Sequence, residues 1–287
     1  MSRIAIMIIA HRNESQLRLL LDNLRDDFDL FVHIDTQSAI SKTALEKDFP
    51  QVKFFSQYHV VWGGFTLSAC SLFLFQQAHK YNYDYYILIS GQDLPIKSNK
   101  TIKAFVEEND TSLVLSEKLP LPQWKYNGGL DRVGLYWESD ITGNSLWDKF
   151  RRRLIGNIRK NQRIYNKRRP FYKGMDIYGG SNWFLLKNDA MNYLLSFVDN
   201  NPGFIKRLKH CFCTDELWVQ TILATCDCKI KNEHFTYIHW YNDSMPKELT
   251  IGDYDAIINS PYLFARKFDI EADSDIIFKV LEHRNSI

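Results

Sequence analysis

A chain of 287 residues with 45% apolar and 24% charged residues can bury a sizeable core in one large domain and is too apolar to be a disordered or fibrous polymer. The net charge of +2 argues against nucleic acid as a partner, and the apolar run Ile4 to Ala10 is too short to span a bilayer. No secretory leader pattern is present, so a cytoplasmic location is expected.

Arg3 to Ala10 has the pattern of a strand buried on both faces of a parallel sheet. Asn13 stands where a helix cap is expected. The helix that follows, Glu14 to about Asp26, repeats Leu17, Leu20, Leu21 and Leu24 on one face. The chain returns as a strand, Leu30 to Asp35, and closes a βαβ unit. A third strand is expected at Val52 to Phe55, then a helix capped by Thr66 and running to about Tyr81. Tyr85 to Ser90 is another buried strand, ended by Gly91-Gln92-Asp93-Leu94-Pro95. This alternation predicts a single α/β domain with a Rossmann-like, doubly wound sheet flanked by helices. Residues 1–118 form its nucleotide-binding half and 119–287 its acceptor-binding and catalytic half. Ligands of such sheets bind beyond the carboxyl ends of the strands, where His11, Asp35 and Asp93 lie, each of which is otherwise a polar turn residue.

After a strand at Leu113 to Ser116, the stretch Leu119 to Asp148 is rich in Trp, Tyr, Gly and Pro and reads as a shaped surface. A basic insertion spans about 147–173. From Lys149 to Lys173 it contains no acid, and Trp147, Phe150, Leu154 and Ile158 recur at helical spacing. Such a basic amphipathic helix is either a solvated face or a peripheral contact with an anionic membrane or a lipid-linked acceptor.

Regularity returns at Tyr178 to Leu186, where Gly179 and Gly180 allow close backbone approach before a polar-aromatic strand holding Trp183. Asn188 caps the next helix, which Asn201-Pro202-Gly203 ends. In Cys213 to Gln220, Thr214 is expected to cap a helix with Leu217, Thr221 and Ala224 on one face. Asp215 and Glu216 then fall in its first turn, where a carboxylate either complements the helix dipole or acts as a positioned base. Thr236 to Trp240 reads as a strand, and Lys247, Arg266 and Lys267 fall in an irregular tail. The five cysteines include two C-x-C pairs, which depart from the usual zinc spacing, and are read as free thiols rather than as a disulfide or metal site.

Acidic residues at strand ends suggest a nucleotide ligand, yet neither a P-loop nor a G-x-G-x-x-G follows a strand. Three Asp-x-Asp matches, at 27–29, 253–255 and 273–275, sit in the wrong places to hold a metal on a nucleotide, so no divalent ion is expected. A departing diphosphate would then need fixed cations, with Lys247, Arg266 and Lys267 the candidates.

The motifs Ile8-Ile9-Ala10-His11, Val32-His33-Ile34-Asp35, Trp62-Gly63-Gly64-Phe65, Ser90 to Ile96, Gly180 to Phe184, Asp215-Glu216 and Phe264 to Asp269 follow one another along nearly the whole chain. In this order they resemble the core-2/I-branching β-1,6-N-acetylglucosaminyltransferase family, glycosyltransferase family 14, which also contains peptide O-xylosyltransferases. The resemblance implies a GT-A-type fold and inverting, metal-independent transfer from a UDP-sugar to a glycan hydroxyl, with Glu216 as general base. It places His11 and Asp35 around the uridine, Lys247 and Lys267 on the diphosphate and Trp240 against the acceptor. Trp183 and Asp215 are further acceptor candidates beside these. The implied donor is UDP-GlcNAc, with UDP-xylose or another UDP-hexose as the alternative. Met-Pro-Lys at 245–247 replaces a His-Pro-Arg pattern of animal members and loses the bidentate fork. Those members also carry a membrane anchor, a stem and several disulfides, so the reading is of a compact bacterial-type relative. A non-catalytic glycan- or nucleotide-binding module is the rival reading.

Overall fold

The apolar run at the N terminus is the strand around which the sheet is wound. The computed structural model describes residues 2–242 and 245–286. In chain order the strands are β1 (Ile4–Ala10), β2 (Asp29–Ile34), β3 (Lys53–Phe55), β4 (Tyr85–Ser90), β5 (Leu94–Pro95), β6 (Ser112–Leu113) and β7 (Glu117–Lys118). They continue with β8 (Tyr178–Gly179), β9 (Leu185–Lys187), β10 (Ile230–Lys231), β11 (Thr236–Ile238), β12 (Trp240–Asn242), β13 (Met245–Pro246) and β14 (Phe264–Arg266). Seven of them form the main sheet in the order β10-β6-β9-β4-β1-β2-β3. All run parallel except β9, which pairs antiparallel with both β4 and β6. The winding reverses between β1 and β4, which makes the mouth beyond those two strands the topological switch point.

Every residue of β1 is buried, as expected for a strand covered on both faces. Ile4, Ile6, Ile8 and Ala10 point to one core, with Leu17, Leu20, Leu21 and Leu24 of the helix Glu14–Leu24. Ala5, Met7 and Ile9 point to the other, against Leu74 and Phe75 of the helix Phe65–His79 and Met191 and Leu194 of the helix Asn188–Asn200. The period of two along the strand divides the apolar side chains between the two layers.

Several local expectations are corrected. Asn13 has φ 60°, and its side chain donates to Asp269 Oδ1 at 2.6 Å instead of capping. The helix expected from Thr66 starts at Phe65, where the Asp140 carboxylate accepts from the Phe65 and Thr66 amides. The polar-aromatic strand expected after Gly179 and Gly180 begins only at Leu185, as β9, with Tyr178–Gly179 a separate strand, β8, and the first residue of the helix after it is Asn188, not its cap. The helix Asn188–Asn200 does end at Asn201-Pro202-Gly203 as expected, and what was not expected is that Pro202 opens a new short helix, Pro202–Leu208, where its missing N–H costs nothing. The tail is not irregular: β11, β14 and β5 form a second sheet, and a helix runs over Ser274–Asn285. Cys70, Cys211 and Cys213 are free, as expected, and all three are buried, but Cys226 and Cys228 are joined as a disulfide.

Candidate active site

Register creates the first half of the site. In the small sheet Ala265 pairs with Leu94 and Phe264 with Pro95, antiparallel, so Arg266 is delivered opposite Asp93 at the end of the turn after β4. Asp93 is fully buried and accepts from the amide of Ser90 at 2.9 Å and from its hydroxyl at 2.8 Å. The Arg266 Nε lies 3.1 Å from Asp93 Oδ1, and the guanidinium carbon sits 4.2 Å from the centre of the Trp183 ring. Burial pushes the Asp93 carboxyl up and the Arg266 guanidinium down, each partly offset by the other's charge. The Trp183 face expected to meet an acceptor is therefore occupied by Arg266.

Around this pair lie the other strand ends. The Asp35 amide donates to Ala10 O at 2.9 Å and the Gly91 amide to Ile9 O at 2.9 Å, which brings the mouths of β1, β2 and β4 together. Asp35 accepts from the amides of Val60 at 2.6 Å and Gln37 at 2.7 Å, and His59 Nδ1 lies 3.2 Å away. Burial alone would raise its pKa, but these donors outweigh it and hold the carboxylate below its ordinary value. His11 lies at the surface, yet desolvation by the protein around it, then the charges of Arg12 and Lys267, lower its pKa against the opposing pull of Asp35. Burial and the nearby Arg266 and Arg12 likewise lower the Lys267 ammonium. Among the described residues Lys267 makes no ion pair, whereas Lys247 is held by both oxygens of Asp253 at 2.8 Å. The Lys267 amide donates to Lys247 O at 3.4 Å, so the two lysines are neighbours through the backbone.

Arg12 is a cation that the sequence reading passed over, although it follows His11 directly. It pairs with Asp269 at 3.0 Å and Glu248 at 3.3 Å beside Lys267. One carboxylate of each Asp-x-Asp match is engaged in structure: Asp27 binds Lys103 and Asn99, Asp253 binds Lys247, and Asp273 caps the C-terminal helix. Among the described residues no group of three or more His, Cys, Asp or Glu side chains is placed to hold a metal ion.

The second half of the site is built on Cys213–Leu217. Cys213 adopts φ 47°, and its amide donates to Gly63 O at 3.0 Å. Gly63 itself has φ +70°, with Phe212 against it, so the Trp62-Gly63-Gly64 motif serves as the seat of this turn. Thr214 is not a helix cap: its hydroxyl lies 2.6 Å from Ser68 Oγ, and residues 214–216 form one 3-10 turn before a helix that begins only at Trp218. Glu216 Oε2 accepts from Arg132 Nη1 at 2.5 Å, and the Arg132 guanidinium lies 3.9 Å over the Trp124 ring. The Glu216 side chain keeps 36% of its surface accessible, open enough to reach a ligand. Asp215 is buried beside it, with Oδ1 unpartnered; burial, then the charge of Glu216, push its carboxyl up to about 7. Arg132 lies in the loosely patterned stretch, where no sequence signal marked it.

One segment connects the halves. The Gly180 amide donates to Glu216 O at 2.9 Å and Gln220 donates to Ser181 O at 2.6 Å, while Trp183, three residues after Gly180, stacks under Arg266. A Cβ on Gly180 would overlap Leu115 O, so only glycine allows this path. Asn182, buried between the two ends, has neither amide atom partnered. Trp240 lies on the β12–β13 hairpin and is 51% exposed, with no contact to either half in the interactions above.

The core-2/I-branching enzyme model matches residues 4–257, which hold the whole seven-stranded sheet and the Glu216 half of the site and end before Arg266 and Lys267. The chain belongs to the core-2/I-branching enzyme family. Human xylosyltransferase 1 is 24% identical over 313 residues, covering 96% of this chain and 30% of that protein. Rat xylosyltransferase 2 is 22% identical, covering 96% of this chain and 33% of its own length. The chain thus spans about a third of these relatives. Among solved structures, apo mouse xyloside xylosyltransferase 1 aligns with TM-score 0.39 and 13% identity over 92% of this chain and 97% of that one. Staphylococcus aureus TarS with UDP aligns with TM-score 0.31 and 14% identity over 43% of this chain and 40% of that one.

Proposed function

We propose that this chain transfers a glycosyl group from a UDP-sugar to a hydroxyl of a glycan or glycosylated acceptor, with inversion and without a divalent metal. The observation that carries the proposal is the continuous path from Glu216 through Gly180–Trp183 to Arg266 and Asp93, which joins a partly exposed carboxylate to a cluster of cations at the sheet's switch point. In this reading Glu216 takes the proton as the acceptor oxygen bonds to the anomeric carbon. The bond from that carbon to the diphosphate oxygen breaks, and UDP leaves with the electron pair. Lys267 faces the departing oxygens, with Lys247, Arg266 and Arg12 set around it by their carboxylate partners. His11 and Asp35 line the uridine end.

Similarity to xylosyltransferases over nearly the whole chain favours UDP-xylose as donor, while the family's core-2/I-branching heading keeps UDP-GlcNAc as the second reading. A panel of UDP-sugars, scored for slow hydrolysis and UDP release with and without EDTA, separates them. We expect turnover of one donor, unaffected by the chelator. Absence of UDP binding and of hydrolysis for every donor would contradict the proposal and favour a non-catalytic glycan-binding module.

A further inference from the structure

The basic insertion folds as one helix, Leu146–Ile164, and its two sides are in different states. On the inner side every long residue is engaged: Arg151 with Glu138, Arg152 with the carbonyls of Ile141 and Gly143, Arg159 over Trp137 at 4.0 Å, and Gln162 with the Tyr136 amide at 2.8 Å. Ile155 is the helix's buried residue. On the outer side Trp147, Phe150, Leu154 and Ile158 form an apolar stripe, exposed by 65%, 54%, 48% and 40%. Trp147 and Phe150 stack on each other at 5.6 Å rather than on the protein. At 100° per residue Lys149, Arg153 and Lys160 fall together along one edge of this stripe, all exposed and, among the described residues, without an ion-pair partner. The nearby acids are committed elsewhere: Asp148 to Ser145, Glu138 to Arg151 and Asp140 to the helix starting at Phe65.

We infer that this outer face docks the protein on an anionic lipid surface, with Trp147, Phe150, Leu154 and Ile158 entering the headgroup boundary and Lys149, Arg153 and Lys160 against the lipid phosphates. An aromatic-aliphatic stripe edged by cations on a surface helix is the chemistry such a surface selects. A second copy of the chain fits poorly, because the acids near this face are engaged elsewhere and offer the three cations no partner. No helix among the described residues is long and apolar enough to cross a membrane, so the attachment is peripheral. The inference does not rest on the proposed reaction, since lipid binding is read without any sugar donor.

The experiment is co-sedimentation of the full chain with phosphatidylcholine vesicles, pure or doped with phosphatidylglycerol. Partition is expected only into the anionic vesicles and should weaken with salt. The triple variant Lys149→Gln, Arg153→Gln, Lys160→Gln should lose roughly 100-fold in partition, about fivefold per basic residue. Trp147→Ser with Phe150→Ser should lose at least roughly tenfold, while Arg152→Gln, on the inner side, changes nothing. Circular dichroism of each variant checks that it has folded. Three results would overturn the inference: no partition of the wild type, equal partition into neutral vesicles, or an unchanged triple variant. A concentration-dependent dimer abolished by the Trp147 and Phe150 changes, seen by sedimentation without vesicles, would reassign the face to a second copy.

Discussion

At the switch-point end of the site nearly every charge has its partner in place, whereas at the Glu216 end polar capacity is left over. Arg266 lies with Asp93, Lys247 with Asp253, and Arg12 with Asp269 and Glu248; Lys267 stands without an ion pair among the described residues. Near Glu216 the Asp215 Oδ1 and the Gln220 Oε1, and between the two ends both amide atoms of Asn182, are buried without a bond, whereas the Arg266 Nε, which also lacks a hydrogen bond, still lies 3.1 Å from Asp93 Oδ1. In the proposed reaction the first end is the one preorganised for a ligand of fixed charge, the diphosphate, and the second the one that keeps groups free for hydroxyls and a moving proton; unpartnered buried polar atoms carry a standing cost in stability.

The contrast predicts that the same chemical change, carboxylate to carboxamide, acts with opposite sign at the two ends. Asp93→Asn leaves the Arg266 guanidinium buried without a counter-charge and should cost about 3–5 kcal/mol in a urea unfolding series. A loss well under 1 kcal/mol would mean that Arg266 can turn to solvent, and the preorganised end would be preorganised in name only.

Asp215→Asn should do the reverse. The folded carboxyl is raised to about 7 from an ordinary value of 3.8, so the native state holds the proton longer and stability falls as pH rises between those values. The variant, which cannot ionise, should gain on the order of 2–4 kcal/mol over the wild type at pH 8 and much less at pH 4. Equal differences at both pH values would break the comparison.

The smallest effect belongs to Asp253. Burial alone would raise its pKa, but hydrogen bonds from Lys247, Thr250 and His239 outweigh this and hold it at about 2, below 3.8. A depressed carboxylate stabilises above its unfolded pKa and loses that contribution as pH falls through the folded one. About 2 kcal/mol should therefore disappear between roughly pH 4 and pH 2. Unfolding free energies measured across that window should show the loss in the wild type and a flatter profile in Asp253→Asn.

How much of this was legible in the sequence follows the same division. The β1 to β4 frame could be read because buried parallel strands are continuous apolar runs and their helices repeat leucines on one face. The strand-end reading pointed to His11, Asp35 and Asp93, the need for fixed cations to Lys247, Arg266 and Lys267, and the family resemblance to Glu216 as base. Arg12 was passed over because a charged residue after a strand looks like any turn residue until Asp269, from the far end of the chain, comes to lie beside it. Arg132 was out of reach, since it comes from a stretch with neither helical nor strand period and meets Glu216 only through tertiary packing. Thr214 misled for a related reason: its hydroxyl has the right chemistry for a cap, but Ser68 on another helix competes for it. The basic helix was legible as a helix, but which arginines face inward was not; Arg151 and Arg152 are spent on the protein, and Arg153 is not.

The central claim is that Glu216 is the base and that the nucleotide is held independently at the other end. Glu216→Gln keeps the shape of the side chain and a hydrogen-bond acceptor toward Arg132 while removing the basic oxygen. UDP affinity measured by calorimetry should be unchanged, while transfer from the UDP-sugar should fall by roughly 10²–10⁴. Transfer close to the wild-type rate in this variant, or loss of UDP binding together with activity, would contradict the account.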